Sequence, residues 1–252
     1  MKQEPLVTII TAVYNAEDTL EKSIVSVLTQ TYKKIQYIII DGGSTDGTVD
    51  IIKKYESSIF YWESEKDLGI YDAWNKGLKR AEGNWIAFLG ADDRYLPKAI
   101  DSYIQRIADI DNSLLEYISS RVCLIDNNGK PLGLIGERYD WKRFQIYMNV
   151  AHVGSLHSKN FFLKYGDFNT SFKIVGDYEM LLRANSSLNA GFLDEITAEM
   201  RVGGVSSQGT RAFKEVLRAK QLTNARTVVQ LRRDALIFYV KYYFRKILGF
   251  KY

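Results

Sequence analysis

Cysteine is nearly missing from this chain: Cys123 stands alone, which excludes an intrachain disulfide and any cysteine-built zinc site and fits a reducing compartment. It reads as core filler. Three prolines and no low-complexity tract argue against long linkers, and 252 residues with 46% hydrophobic content suffice for one large domain, or a domain with an appendage. No apolar run reaches the ~18 residues of a membrane span. The amino terminus passes from Met1-Lys2-Gln3-Glu4-Pro5 straight into a strand-like segment without a signal-peptide hydrophobic region, so a cytoplasmic protein is expected. Histidine is scarce too. His152 and His157, five apart and flanking Gly154, do not form a helical metal pair; a structural or substrate-contact role fits them better than zinc. Acid is scarce at one end only. Residues 211–252 hold 11 Lys and Arg against Glu215 and Asp234, a net of +9 within a chain of +4, so residues 1–210 carry −5.

What is present begins with Leu6 to Val13, a β-branched and nearly continuous apolar run of the kind buried on both faces of a parallel sheet. Tyr14-Asn15 closes it, and Asn15 is placed to cap a helix through about Gln30, where Leu20, Ile24, Val27 and Leu28 recur at helical spacing. Ile35 to Ile40 is a second buried strand, followed by Asp41-Gly42-Gly43-Ser44-Thr45-Asp46-Gly47-Thr48, with Asp46 or Thr45 capping a helix through Tyr55. Ile59 to Glu63, a helix from Tyr71 to Ala81 and a strand from Trp85 to Leu89 continue the alternation of a doubly wound sheet. In the Asp41 loop, Gly42 and Gly43 let the backbone approach a ligand, and Asp41 offers an acceptor to a base or ribose; a Gly-rich turn with a helix cap is the plain alternative.

The fourth strand ends abruptly in Gly90-Ala91-Asp92-Asp93. A charge pair at the end of a buried strand cannot stay in the core unpaired, so it is expected at the mouth of a crevice. Two hard oxygen donors there suit Mg²⁺ or Mn²⁺ carrying a substrate's phosphates, against the plainer reading of a solvated turn before a helix at Pro97.

Five motifs in order carry a resemblance: Val7-Thr8-Ile9-Ile10-Thr11-Ala12-Val13-Tyr14-Asn15, Ser26-Val27-Leu28-Thr29-Gln30-Thr31-Tyr32, Ile40 to Thr48, Asp67 to Gly77, and Phe88 to Asp93. With them residues 6–97 resemble the nucleotide-binding half of a family 2 glycosyltransferase. The resemblance implies a GT-A fold, an α/β Rossmann-like architecture with a doubly wound, mostly parallel sheet. Residues 1–210 would form the transferase domain, divided into a nucleotide-binding half (1–97) and an acceptor half (98–210), and residues 211–252 a C-terminal helical appendage. It implies donor contacts from Thr11, Tyr14, Asn15, Asp41, Gly42, Ser44, Asp67, Gly69, Asn75, Lys76 and Asp92, and a divalent metal, Mn²⁺ or Mg²⁺, on Asp93. The family's metal motif often opens with a third Asp where this chain has Ala91, so the nucleotide diphosphate is expected to complete the metal site.

In the second half, Leu115 to Ser120 and Arg121 to Ile125 read as strands, Asn128-Gly129 as a hairpin turn, and Trp141 to Met148 as a short helix. Asp177 reads by itself as a helix N-cap; the resemblance makes it the catalytic carboxylate, in the form of a small residue, Gly176, followed by Asp. Glu179 points about 200° away along that helix. The resemblance also assigns His152 to the acceptor side. After strands at Gly191–Leu193 and Ile196–Val202, Gly203-Gly204-Val205-Ser206 offers a loop to close over the diphosphate through Gly203, Gly204 and Ser206, with an ordinary surface loop as the alternative.

The tail reads as two helices, about Arg211 to Arg232 and Asp234 to Leu248. Its apolar and cationic faces fit an anionic membrane surface through residues 234–252, or packing on the domain or on a second copy as a homodimer. No nucleic-acid motif accompanies the charge. The expected activity is transfer of one sugar, with inversion, from a nucleotide-diphosphate sugar to a glycan or lipid-linked acceptor, in the cytoplasm or at the inner face of the membrane. A metal-dependent nucleotidyltransferase and an inactive membrane-docked subunit are the alternatives.

Overall fold

In the computed structural model, which describes residues 4–110, 113–204 and 209–247, four strands form the first half of a mixed sheet. These are β1 (Val7–Val13), β2 (Ile35–Asp41), β3 (Tyr61–Ser64) and β4 (Trp85–Gly90), parallel throughout and ordered β3-β2-β1-β4. Their near-continuous apolar sequences follow from burial on both faces, with a period of two deciding which face each side chain joins. Val7, Ile9, Val13, Ile39, Ala87 and Leu89 enter one core, and Ile10, Ile38, Ile40, Ile86 and Phe88 the other. The first core is covered by α1 (Leu20–Leu28), α2 (Thr48–Lys54) and α4 (Ala99–Ile110). The second is covered by α3 (Ile70–Leu78), α5 (Trp141–Phe144), α6 (Lys159–Tyr165), α7 (Gly176–Ala184) and α8 (Gly209–Leu222). Helix α3 lies close on β1, because a Cβ on Gly77 would stand 2.5 Å from Ile10 Cγ2.

The second half extends the sheet through β8 (Ser155–Ser158), antiparallel to both β4 and β6 (Tyr117–Ile125). Strand β9 (Ala190–Arg201) runs parallel to β6 and pairs at its end with the short β5 (Arg94–Tyr95). The two strand pieces expected on either side of Ser120 are one strand, as are those on either side of Asp194, because register shifts near Ser120 and Arg121 absorb the irregularity. Strand β7 (Pro131–Ile135) folds back on β6 through the Asn128-Gly129 turn, with Gly129 at φ +80° as that turn requires.

Two further elements depart from their expected limits. Helix α5 stops at Phe144 instead of Met148. The tail breaks after Leu222 and not at Arg233: α9 runs Val228–Ile247, and Asp234 lies inside it. The reason is electrostatic. Asp234 takes Lys220 of α8 at 3.3 Å and the fork of Arg226 at 2.9 and 3.2 Å, with all three side chains nearly buried, so the turn brings two cations back onto one acid. Phe213 stacks on Phe238 at 3.6 Å beside this pair and joins α8 to α9. No helix among the described residues is long and apolar enough to cross a membrane.

Candidate active site

Parallel pairing carries the carboxyl ends of β2, β1 and β4 to one edge, where Val13 lies opposite Asp41 and Ala12 opposite Gly90. Tyr14-Asn15, Asp41 to Ser44 and Asp92-Asp93 therefore leave the sheet side by side, at the point where strand order reverses between β1 and β4. Open α/β sheets bind ligands at such a point.

The Asp41 loop is held from within. Asp41 is fully buried and accepts from Gly43 N (3.1 Å), Ser44 N (2.9 Å), Ser44 Oγ (2.5 Å) and Ser64 Oγ (2.6 Å). Four donors fill a carboxylate's acceptor sites, so Asp41 shapes the loop and does not itself present a free acceptor. Asn15 caps no helix either; it stands at φ +48°, takes Ser44 Oγ on its N–H at 2.8 Å and accepts Thr45 N on Oδ1 at 2.8 Å, so α1 starts only at Leu20. Neither Thr45 nor Asp46 is the N-cap of α2, which is Gly47; Asp46, one residue earlier, accepts from Thr48 N at 3.0 Å. Gly42 packs against the Asp67 carboxylate, which a Cβ there would meet at 2.7 Å and have to displace; Asp67 in turn accepts from Gly69 N at 2.8 Å, with Gly69 at φ +113°.

Four residues expected at the donor are placed otherwise or at the margin. Thr11 is buried within β1, its hydroxyl 3.2 Å from Tyr37 Oη, because the alternation that put its neighbours in the core includes it. Asn75 spends both ends of its amide on the Phe168 backbone, at 2.8 and 3.0 Å, and ties α3 to the acceptor half. Lys76 beside it is half-buried, and Tyr14 is exposed at the sheet edge.

Asp92 and Asp93 crowd one side of Gly90, where a Cβ would lie 2.7 Å from Asp93 Oδ2 and 3.1 Å from Asp92 Oδ1. Asp93 is buried and accepts Arg201 N at 3.1 Å; burial first, and then the charge of Asp92, push its carboxyl up to about 7. A cation relieves that strain, and two hard oxygens with space left by the absent Cβ fit Mg²⁺ or Mn²⁺. Among the described residues no group of three or more His, Cys, Asp or Glu gathers, so water and a phosphate-bearing ligand must supply the other coordination positions. Strand β9 ends at Arg201, and Gly203, at φ +101°, and Gly204 follow it into open space beside the pair. Ser206 lies outside the described residues.

Asp177 is the second residue of α7, not its N-cap, which is Val175. It is half-buried, and its Oδ1 accepts Tyr178 N (2.9 Å) and faces Tyr71 Oη (3.2 Å), which also donates to Ile174 O (2.8 Å). Tyr71 sits in the first turn of α3, so the bond joins Asp177 to the donor-side edge. Sequence reasoning missed what holds this segment. Glu215 of α8 accepts the backbone N–H groups of Lys173 (3.1 Å), Ile174 (2.8 Å) and Val175 (3.2 Å), and Lys173 Nζ donates to Leu68 O at 2.5 Å. One signal was in view: Glu215 and Asp234 are the only acids of the basic tail, and each is consumed by a specific set of donors. Glu179 instead turns inward to Arg183, 3.3 Å away.

His152 is buried in an aromatic cluster, stacked on Phe88 at 5.3 Å and against Trp74 at 5.0 Å, with neither ring nitrogen hydrogen-bonded. Burial lowers its pKa, and the charge of Asp177 opposes that shift; the ring is enclosed and not on an open surface.

Comparison with known proteins agrees with this geometry. The model of glycosyl transferase family 2 matches residues 8–147, more than half of the chain. An uncharacterised glycosyltransferase of Mycobacterium tuberculosis is 30% identical over 189 residues, covering 73% of this chain and 70% of that one. Staphylococcus aureus TarS 1–349, solved in complex with UDP-GlcNAc, superposes with a TM-score of 0.71 at 18% identity over 92% of this chain and 70% of that one. Against the longer solved chain of TarS the coverage is 41% of its length. The mannosyltransferase PcManGT of Pyrobaculum calidifontis, solved with GDP-Man and Mn²⁺, superposes with a TM-score of 0.65 at 15% identity over 90% of this chain and 66% of that one. The fold is thus the α/β GT-A fold with C-terminal helices, and the chain belongs to glycosyl transferase family 2.

Proposed function

We propose that this glycosyltransferase moves a single sugar from a nucleotide-diphosphate sugar, with UDP as the favoured nucleotide, to a hydroxyl of a glycan or lipid-linked saccharide, with inversion. The observation that carries the reading is geometric: the buried Asp93 and its neighbour Asp92 stand together against Gly90 at the strand switch point, two hard oxygen donors placed for a divalent cation and its diphosphate. Relatives of the same fold hold UDP-GlcNAc, or GDP-Man with Mn²⁺, which supports a donor of this class here.

The Asp41 loop, fixed by its own hydrogen bonds, offers backbone at Gly42 and Gly43 to the nucleoside, while Asp92 faces the ribose or donor sugar. Asp93 would hold a divalent Mn²⁺ or Mg²⁺, which would offset charge on the departing diphosphate. Asp177 takes the proton of the acceptor hydroxyl as that oxygen attacks the anomeric carbon from the face opposite the diphosphate; the bond to the diphosphate breaks and the nucleoside diphosphate leaves. Tyr71, donating toward Asp177 Oδ1, orients the base. Gly203 and Gly204 give the loop after β9 freedom to close on the diphosphate. The exposed apolar residues of α9, with Arg232, Arg233 and Lys241, hold the enzyme at an anionic membrane face.

Calorimetric titration with UDP, GDP and dTDP, each with and without Mn²⁺, tests the donor site. One nucleotide should bind in a Mn²⁺-dependent way, and Asp93→Asn should weaken that binding at least about tenfold, the scale of a lost charge-assisted contact. Absence of binding to all three nucleotides sinks the reading.

A further inference from the structure

Asp177 has a second neighbourhood besides the donor edge. Asp177 is also one of the residues that line a pocket of about 530 Å³ between α7, α8, α9 and residues 146–148. That volume is in the range of pockets that enclose small organic ligands. The rest of the wall is mostly apolar, including Met148, Val175, Phe213, Val216, Ile237 and Phe238. Of the four charged residues that line it, Lys220 and Asp234 pair with each other at 3.3 Å, Lys220 also donating to Ile146 O at 2.8 Å; Asp177 is the proposed base, and Lys241 stands exposed on α9. A free saccharide, all hydroxyls, finds few partners on such a wall, and a hydrocarbon finds many.

We propose that the acceptor is a saccharide carried on a lipid, whose alkyl segment occupies this pocket while the reacting hydroxyl lies at Asp177. The inference rests on the transferase reading above and narrows its acceptor. Two observations favour an alkyl chain over a small aromatic group. Ile237 belongs both to the pocket wall and to an apolar stripe exposed along α9, with Leu236, Val240, Tyr243 and Phe244, so a chain longer than the pocket continues onto apolar surface. Asp177 lines the same pocket, so an amphiphile there places a polar end at the chemistry and its apolar part against α8 and α9. The C-terminal helices thereby become an acceptor-binding wall as well as the support of residues 173–175.

The test uses the whole chain with methyl, phenyl and octyl β-D-glucopyranoside as probes, the octyl compound below its micelle concentration, binding being followed by saturation-transfer NMR. Each methylene that leaves water tightens binding about fourfold, so octyl should bind at least about tenfold more tightly than methyl or phenyl even if only part of the chain is enclosed. Ile237 is 46% exposed, so Ile237→Asp should fold normally, and it should abolish the octyl advantage. In parallel, nucleoside diphosphate release from UDP-glucose, UDP-N-acetylglucosamine and GDP-mannose is measured with Mn²⁺; octyl glucoside should change its rate in the wild type and not in Ile237→Asp. Equal binding of the three glucosides, phenyl binding as well as octyl, or an octyl preference untouched by Ile237→Asp overturns the proposal. An intact alkyl preference with no nucleotide binding or release in any condition instead overturns the transferase reading, and the acceptor assignment with it.

Discussion

Individual side chains divide into those that do chemistry and those that hold it in place. In the proposed mechanism Asp177 belongs to the first group: Asp177→Asn should lower kcat about 10² to 10⁴-fold while nucleotide binding, measured by calorimetry, stays within twofold. Near-normal turnover would remove it from the mechanism. Asp41 looks like the first kind in sequence and is the second in space, because its four donors all come from its own chain. No spacing rule separates a carboxylate facing a ligand from one knotting its own loop. The histidines show the same limit. His157 is enclosed by Phe88, Tyr117, Phe161 and Phe162, and its pKa lies well below the ordinary value, first through burial and then through His152. Between its folded and unfolded pKa values the unfolded chain binds the extra proton, so stability rises with pH; this contribution is complete above about 6.5 and is lost as the pH falls below it. From pH 6.5 to 5 the loss amounts to about 2 kcal/mol at most for one histidine. Asp93 acts in the opposite sense below pH 7, so the histidine is read from a difference: the melting temperature of His157→Phe should fall less between pH 7.5 and 5 than that of the wild type. Parallel curves would show that His157 does not titrate against folding.

Whole elements matter most where α8 meets the segment ahead of α7. Glu215 collects three backbone N–H groups that precede the helix carrying Asp177, so a residue of the tail sets where Asp177 stands. Glu215→Ala should reduce kcat at least about tenfold, since small displacements of a reacting group are costly, without changing nucleotide affinity. Unchanged kcat would leave Glu215 with a packing role only. Element positions in the first half were legible from the apolar runs because strands buried on both faces and helices with one buried stripe write their own periods. Boundaries were less so. Asn15 failed as a cap because the loop after β2 offered its backbone and side chain better partners, and the break between α8 and α9 moved to Thr223–Thr227 because Asp234 draws Lys220 and Arg226 toward it.

Taken as a whole, the molecule joins a donor edge of acidic side chains to a basic tail, and the tail faces two ways. Its two acids turn inward, to residues 173–175 and to Lys220 and Arg226, while Arg232, Arg233 and much of the apolar surface of α9 remain exposed. Reversing two of the exposed cations, Arg232→Glu with Arg233→Glu, should weaken sedimentation with phosphatidylglycerol vesicles at 50 mM salt and leave the melting temperature unchanged, because such attraction is screened at a surface. Vesicle binding that survives the double variant undiminished would place the contact elsewhere or remove it. The amino-acid sequence by itself determined the doubly wound first half, the loop after β2, the acid pair after β4 and the family, because local propensity, period and motif are properties of neighbouring residues. Only the tertiary structure decided that Asp41 and Asn75 face inward, that Tyr71 reaches Asp177 and that Glu215 holds the segment before it. Those are contacts between residues from 23 to 106 positions apart or closures of a loop on itself, and a pattern along the chain does not encode which partner wins a buried donor.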